Sequence, residues 1–411
     1  MRILMLSQFF TPITGGREAM VEALSLALAR VGHDVAVVTS PSHGTASSET
    51  YRDIQIRRLG GTLQRFTPLF EDTARRHLAP APDPELVIGL RRLIERERPD
   101  VIHAHDWMVH SLWPLSRSRI PVCLTLHDYG LSCANKRFMH FGIQCSGPDL
   151  RKCVSCASQY YGVAKGVPTA LALRAMAPAI IRTVDHYLPV STSVATAERL
   201  AERGLQYDVV PNFLAESVRS ARHHDVSEEV ARQLPSKDFV MFAGDATYDK
   251  GVDVLLHAHR ALGGKYPLVI FGRPFSPRLD PPPHNVYVMG THSHREVLAA
   301  WRRASIAVVP SVWAEPFGLV ALEAMAMGRP VVASATGGLV DIVVQDRTGL
   351  LVPPGDVDAL AGAIVRLMED PVLRSEMGRA AQERSETFDE TASASRHEQI
   401  YDEMRQRYAV D

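Results

Sequence analysis

Short, continuous apolar runs alternate with helical segments along nearly the whole chain, and that alternation restricts the fold more than any other feature. The chain opens with an apolar run at 3–7, then a Pro/Gly loop ending in Gly15-Gly16, then Met20, Leu24, Ala27, Leu28 and Val31 at helical spacing. Gly32-His33-Asp34 stops that helix, and 35–39 reads as the next strand. This is a βαβ unit. A helix at 84–97, strands at 101–104 and 122–126, a helix at 165–183, a strand at 187–190 and a helix at 192–203 continue the pattern. Strands that are apolar throughout, set between helices, predict a parallel sheet buried on both faces.

A second series follows a break. Val209-Val210-Pro211-Asn212-Phe213 leads into a polar, charged stretch at 219–237, and strands resume at 239–244, 268–272, 286–290, 306–310 and 331–335. The predicted fold class is α/β, with two Rossmann-like doubly wound domains in tandem, 1–208 and 209–387. At roughly 100–200 residues per domain, 411 residues accommodate both. The last helix, within 388–411, has no strand after it and is expected to pack back on the first domain. Such sheets bind ligands at the carboxyl ends of their strands, and two of them facing each other leave a cleft between.

Composition then narrows function by exclusion. Lys+Arg (45) and Asp+Glu (46) nearly cancel, so no basic stripe invites a nucleic acid. No apolar run approaches the roughly 18 residues of a membrane span. The opening residues are too short for a signal peptide, which predicts a cytoplasmic protein, at most at the inner face of a membrane. The helix near 165–182 carries Lys165, Arg174 and Arg182 among apolar residues and could touch a membrane surface, although packing on the sheet is the plainer expectation.

The densest chemistry lies at 309–330. A strand ends at Pro310, a loop carries Glu315, Pro316 and Gly318, and a helix is predicted from about Phe317 to Gly328. The first N–H groups of a helix lack intrahelical acceptors, and its dipole adds positive potential, so a diphosphate is favoured there. Gly318 lets a ligand approach the backbone. Helical side chains lean toward the N-terminus, so Glu323 can reach back toward the same ligand. Read without that ligand, Glu315 is a cap and Glu323 a solvated face residue.

The E-x₇-E spacing of Glu315 and Glu323, inside E-P-F-G-L-V-A-L-E-A-M-A-M-G-R-P-V-V-A, resembles the signature of retaining glycosyltransferase family 4, which has the two-Rossmann GT-B fold. The resemblance extends through the Gly-Gly loop, H-A-H, L-T-L-H-D, V-V-P-N, D-K-G-V-D-V-L-L, A-T-G-G-L-V-D-I-V and T-G-L-L-V-P-P-G-D. It implies a nucleotide-diphosphate sugar, UDP- or GDP-linked, on the C-terminal domain and a glycan, lipid-linked or small-molecule acceptor on the N-terminal one. Transfer would retain the anomeric configuration, in bacterial glycan, cell-envelope or natural-product biosynthesis.

Carried over residue by residue, Glu323 resembles the ribose-binding acid and Glu315 the residue near the donor sugar. Phe317, Gly318, Leu319 and Val320 would offer backbone amides, and Gly244 is the strand-end glycine of the donor site. Lys250 matches the lysine that neutralises the leaving diphosphate, where a fixed ammonium stabilises charge gathering on the β-phosphate. His127 resembles the histidine that positions a donor hydroxyl, with His103 and His105 lining the same end of the sheet. Gly15 and Gly16 open the first helix, where amides can meet phosphate or acceptor. One position departs from the pattern: Asp245 follows Gly244 where the family usually has arginine. An acid there repels a diphosphate, so it must turn away, or Arg273 or Lys250 must carry the load, or donor binding is weak.

No catalytic metal is expected. Asp356-Val357-Asp358 reads as a helix N-cap rather than a metal pair. Four of the five cysteines, Cys133, Cys145, Cys153 and Cys156, fall in an insertion at 129–158, and Cys123 reads as a buried strand residue. The C-x₂-C pair plus two thiols fits a structural Zn²⁺ site, with free or disulfide-paired thiols and an iron–sulfur cluster as alternatives. The alternatives to a transferase are a sugar-nucleotide epimerase or a phosphorylase on the same architecture, the latter lacking an obvious pyridoxal lysine, and a non-catalytic sugar-nucleotide-binding protein.

Overall fold

The computed structural model describes residues 1–13, 15–65, 75–118, 120–273 and 282–410. The chain divides into two compact units, Met1–Pro211 with Glu390–Asp411, and Asn212–Asp389.

In the first unit the strands are β1 (Arg2–Leu6), β2 (Asp34–Thr39), β3 (Ser48–Tyr51), β4 (Ile54–Arg58), β5 (Val101–Ala104), β6 (Val122–Leu126), β7 (Met139–His140), β8 (Ile143–Gln144) and β9 (His186–Pro189). Among the described residues, seven of them form one sheet in the order β3-β4-β2-β1-β5-β6-β9, parallel except for the β3–β4 pair at its edge. Every residue of β5, β6 and β9 is buried, as expected of strands covered on both faces. The crossover helices are α1 (Gly16–Arg30), α2 (Pro84–Glu97), α3 (Leu150–Tyr161), α4 (Val163–Thr183) and α5 (Thr192–Ala197). α2 starts where Asp83 accepts from the amides of Glu85 and Leu86 and Pro84 fills the first helical position. α5 is shorter than the periodicity predicts, giving way to turns before 203.

The second unit begins with α6 (Glu216–Ser220) and α7 (Glu228–Gln233), which occupy the polar stretch read from sequence as a break. Its sheet is entirely parallel: β10 (Val240–Ala243), β11 (Leu268–Phe271), β12 (Val286–Gly290), β13 (Ile306–Val309), β14 (Val331–Ser334) and β15 (Gly349–Val352), in the order β12-β11-β10-β13-β14-β15. α8 (Val252–Ala261), α9 (His294–Arg303), α10 (Leu319–Ala326), α11 (Leu339–Ile342), α12 (Val357–Glu369) and α13 (Pro371–Ser385) cover it. Val240, Phe242, Ile270, Val308 and Val332 pack with Leu255 of α8 and Ile364 of α12 in one core. Asp356 caps α12 by accepting from the Ala359 amide at 2.9 Å, the role its position suggests.

The last helix, α14 (Glu390–Val410), belongs to the first unit. Arg396 of α14 bonds Asp208 at 2.6 Å, and Tyr401 is fully buried against His103. No helix among the described residues is long and apolar enough to cross a membrane. In α4, Ala170 and Leu173 are buried while Lys165, Arg174 and Arg182 lie exposed, and the helix packs along α3.

Candidate active site

The second unit gathers its polar chemistry at the carboxyl ends of β10 and β13, the adjacent central strands. Beyond β10 the chain turns through Gly244 and reaches Lys250 and Gly251. Gly251 has a left-handed φ of +68°, and a Cβ there would stand 1.9 Å from the Pro310 carbonyl oxygen. Only glycine permits that approach. The Val312 amide donates to Asp249 O at 2.9 Å, so the two loops are joined backbone to backbone.

This contact delivers Lys250 to the loop after β13. Its ammonium lies 2.6 Å from Glu315 Oε1, and Ser311 donates to the same oxygen at 2.7 Å. Burial pushes the Glu315 carboxyl up, but the adjacent ammonium and these hydrogen bonds outweigh it and hold the group below the ordinary glutamate value. The Glu315 loop is clamped from behind by Gly337-Gly338: the Gly338 amide donates to Glu315 O at 2.7 Å, and a Cβ on Gly337 would meet the same oxygen at 2.1 Å. Glu315 therefore neither caps α10 nor faces open solvent.

α10 starts at Leu319, two residues later than predicted from sequence, because Gly318 takes a left-handed φ of +109° and serves as its N-cap residue. Phe317 is buried, edge-on to Phe388 with ring centroids 5.8 Å apart. Leu319 and Val320 form the first turn, whose N–H groups have no acceptor within their own helix. One turn on, Glu323 Oε1 lies 2.9 Å from His294 Nε2 at the start of α9. That hydrogen bond raises the His294 pKa against the opposing effect of burial. The acid at the position usually held by arginine is neutralised locally: Arg273 grips Asp245 with two hydrogen bonds, 2.9 and 2.5 Å.

In the first unit, His127 follows β6 and its Nε2 lies 3.0 Å from Nδ1 of His105, which follows β5. His105 stacks on His103 at a ring separation of 4.1 Å, and His103 bridges Thr125 and Tyr401, both at 2.7 Å. His105, His127, Asp128 and Lys136 line a cavity of about 30 Å³. Gly16 is the first residue of α1; a Cβ on Gly15 would stand 2.2 Å from a Glu18 carboxylate oxygen. Arg17, beside it, lies 3.1 Å from Glu18 and 3.9 Å from Asp128.

Comparison with known proteins accounts for both units. The family "Glycosyltransferase Family 4" matches residues 14–218, and "Glycosyl transferases group 1" matches residues 227–384. Glycogen synthase of Mycobacterium tuberculosis is 30% identical over 98% of this chain and 94% of its own length. The chain belongs to the GT-B glycosyltransferases. D-inositol 3-phosphate glycosyltransferase of Corynebacterium efficiens is 26% identical over 98% of this chain and 95% of its own. Among solved structures, sucrose-phosphate synthase from Thermosynechococcus elongatus superposes with a TM-score of 0.72 at 24% identity, covering all of both chains. Anabaena HepE in complex with UDP and glucose gives 0.69 at 18% identity, covering 98% of this chain and all of its own.

Several residues of this glycosyltransferase's candidate site escaped the sequence reading. His294 had a positional signal, a place just beyond the carboxyl end of β12, but no motif. Ser311 lay within 309–330 without a role. Lys136, over the Trp107 ring at 4.0 Å, comes from the cysteine insertion, where no periodicity points to it.

The histidine cluster sets an expected pH dependence. Burial holds His103, His105 and His127 well below the ordinary value of 6.5, and takes His110 and His397 down to about 4. The unfolded chain then binds protons that the folded one refuses, so stability falls as pH drops from about 6.5, and the His110 and His397 contributions level off near 4. For His110 and His397 the contribution is about 3 kcal/mol each at most. Glu198, pushed up to about 8 by burial, acts in the opposite sense over the same range. The unfolding midpoint should fall between pH 7 and pH 5, more steeply in Glu198→Gln and less steeply in His397→Gln. A slope unchanged in His397→Gln contradicts the assignment.

Proposed function

We propose that this glycosyltransferase moves a sugar from a nucleotide-diphosphate sugar to a hydroxyl acceptor with retention of anomeric configuration. The observation that carries the reading is the meeting of Lys250 and Glu315 at 2.6 Å beside the glycine-led start of α10. An anion there would meet the first-turn amides and one ammonium, which together stabilise a departing diphosphate. Glu323, held by His294, would take the ribose hydroxyls, and Glu315 would face the sugar. His127, kept neutral by burial, would accept from or donate to a sugar hydroxyl rather than carry charge. The E-x₇-E resemblance supports retention. That a protein of this fold has been crystallised with UDP and glucose supports a nucleotide sugar as donor. The pairing of Asp245 with Arg273 offsets the acid's charge locally, which supports the catalytic reading over a non-catalytic one.

A thermal-shift screen of UDP-, GDP- and ADP-sugars tests this directly. A true donor at a hundred times its dissociation constant stabilises the fold by about 2.7 kcal/mol. Glu323→Gln should weaken that donor about tenfold, or ~1.4 kcal/mol, through the lost ribose contact. Nucleoside diphosphate should then be released when acceptor is added, without any added divalent metal. A screen in which no nucleotide sugar stabilises the protein refutes the proposal.

A further inference from the structure

The insertion that follows His127 is a small lobe whose construction calls for a cross-link. Cys133 sits in a turn leading to β7, Cys145 follows β8 directly, and Cys153 and Cys156 lie three apart on one face of α3. All four line one cavity of about 20 Å³. The Asn135 side chain joins two of them, its Oδ1 accepting from the Cys133 thiol at 2.9 Å and its Nδ2 donating to Cys156 Sγ at 3.3 Å. None of the four is in a disulfide.

The lobe's own core is small. Tyr129, Leu131, Phe138 and Met139 are buried, Ala134 and Ala157 join the core cluster shared with Trp107, Ala170 and Leu173, and Phe141, Ile143 and Leu150 are exposed. A two-residue hairpin is marginal alone in water. Yet Lys136, Phe138 and Phe141 all hold left-handed φ values, 62°, 54° and 50°, which non-glycine residues keep only when surroundings impose them.

We propose that Cys133, Cys145, Cys153 and Cys156 bind one structural zinc ion as thiolates, and that this ion fixes the turn carrying Lys136 beside His127. Among the described residues no three His, Cys, Asp or Glu side chains already stand in ligating geometry. The thiols of Cys145 and Cys156 instead reach the carbonyls of Gly147 and Met139, each at 3.4 Å. Binding requires the sulfurs to turn into the cavity and release four protons to solvent, and Asn135 Nδ2, which already donates to Cys156 Sγ, would then donate to a zinc-bound sulfur. The turn is short: the Lys136 amide donates to Cys133 O at 3.1 Å, so a ligand at 133 tethers Lys136 three residues on.

The full-length protein, purified under reducing conditions, should carry about one equivalent of zinc, released by a mercurial that titrates thiols. Cobalt exchanged into the site should show thiolate-to-metal charge transfer and the visible bands of a tetrahedral ion. Cys153→Ser should lose the metal and open 129–161 to protease, while stabilisation by free nucleoside diphosphate, whose contacts are all assigned to the second unit, persists. Less than about half an equivalent of zinc, loss of free thiols to disulfides, or iron–sulfur absorbance would each overturn the proposal. If Cys153→Ser cannot be purified, the cobalt spectrum of the unaltered chain decides.

Discussion

Lys250→Ala is expected to lower turnover at least about tenfold, a loss of more than ~1.4 kcal/mol of transition-state stabilisation. The reason lies in where charge moves. Cleavage of the bond between the anomeric carbon and the phosphate oxygen would leave negative charge on the diphosphate, and in the proposed function the Lys250 ammonium, paired with Glu315, would stabilise it. The structure adds a second consequence. Glu315 is nearly buried, its side chain 9% exposed, and loses its only described cation in the variant. The unfolding free energy should fall by about 2 kcal/mol, less than for a fully buried pair because Lys250 is itself partly exposed. Two measurements on three variants separate these effects. In Lys250→Ala with Glu315→Gln, stability should return, because no uncompensated carboxylate remains, while nucleoside diphosphate release stays slow. Lys250→Arg keeps the charge in a different shape and should recover part of the rate. Unchanged turnover in Lys250→Ala would refute the role.

Gly251→Ala is expected to cost about 3 kcal/mol or more in stability. Two penalties add. A left-handed φ of +68° disfavours any side chain by about 1 kcal/mol. The new Cβ would also stand 1.9 Å from the Pro310 carbonyl oxygen and 2.7 Å from its carbon. Both are backbone atoms at the end of a buried strand and cannot rotate away. Relief requires the loops to part, which separates Lys250 from Glu315, so donor stabilisation should be lost along with global stability. Gly263→Ala is the control: its φ is +62° and nothing lies within 4 Å of its Cβ, so it should lose only the conformational term. Chemical unfolding of both variants, with and without donor, reads the difference. Equal losses in the two would mean that the Pro310 contact yields easily.

How much was legible beforehand varies by element for definable reasons. β5, β6 and α2 fall within the bounds that apolar runs and helical spacing predict, because burial on both faces, or a capped amphipathic stripe, leaves its mark residue by residue. β3 was missed because Ser48–Tyr51 is polar and mostly exposed; its strand character comes from backbone pairing with β4 at the sheet edge. β15 was quoted only as part of a motif. Four apolar residues between turns cannot announce that they will complete a sheet. The start of α10 was placed two residues early because the left-handed turn at Gly318 is a matter of backbone geometry.

For the candidate site, the residue types and their places along the chain were present in the amino-acid order itself. A glycine before a helix, a lysine after a strand and two glutamates eight apart follow from local rules of chain geometry and charge. The pairings were not. Lys250 with Glu315, Asp245 with Arg273, Glu323 with His294 and His103 with Tyr401 join residues from 28 to 298 positions apart. Periodicity reports what each segment buries, and it carries no information about which distant segment arrives opposite. The order of strands across a sheet sets that, and it exists only once the chain has folded.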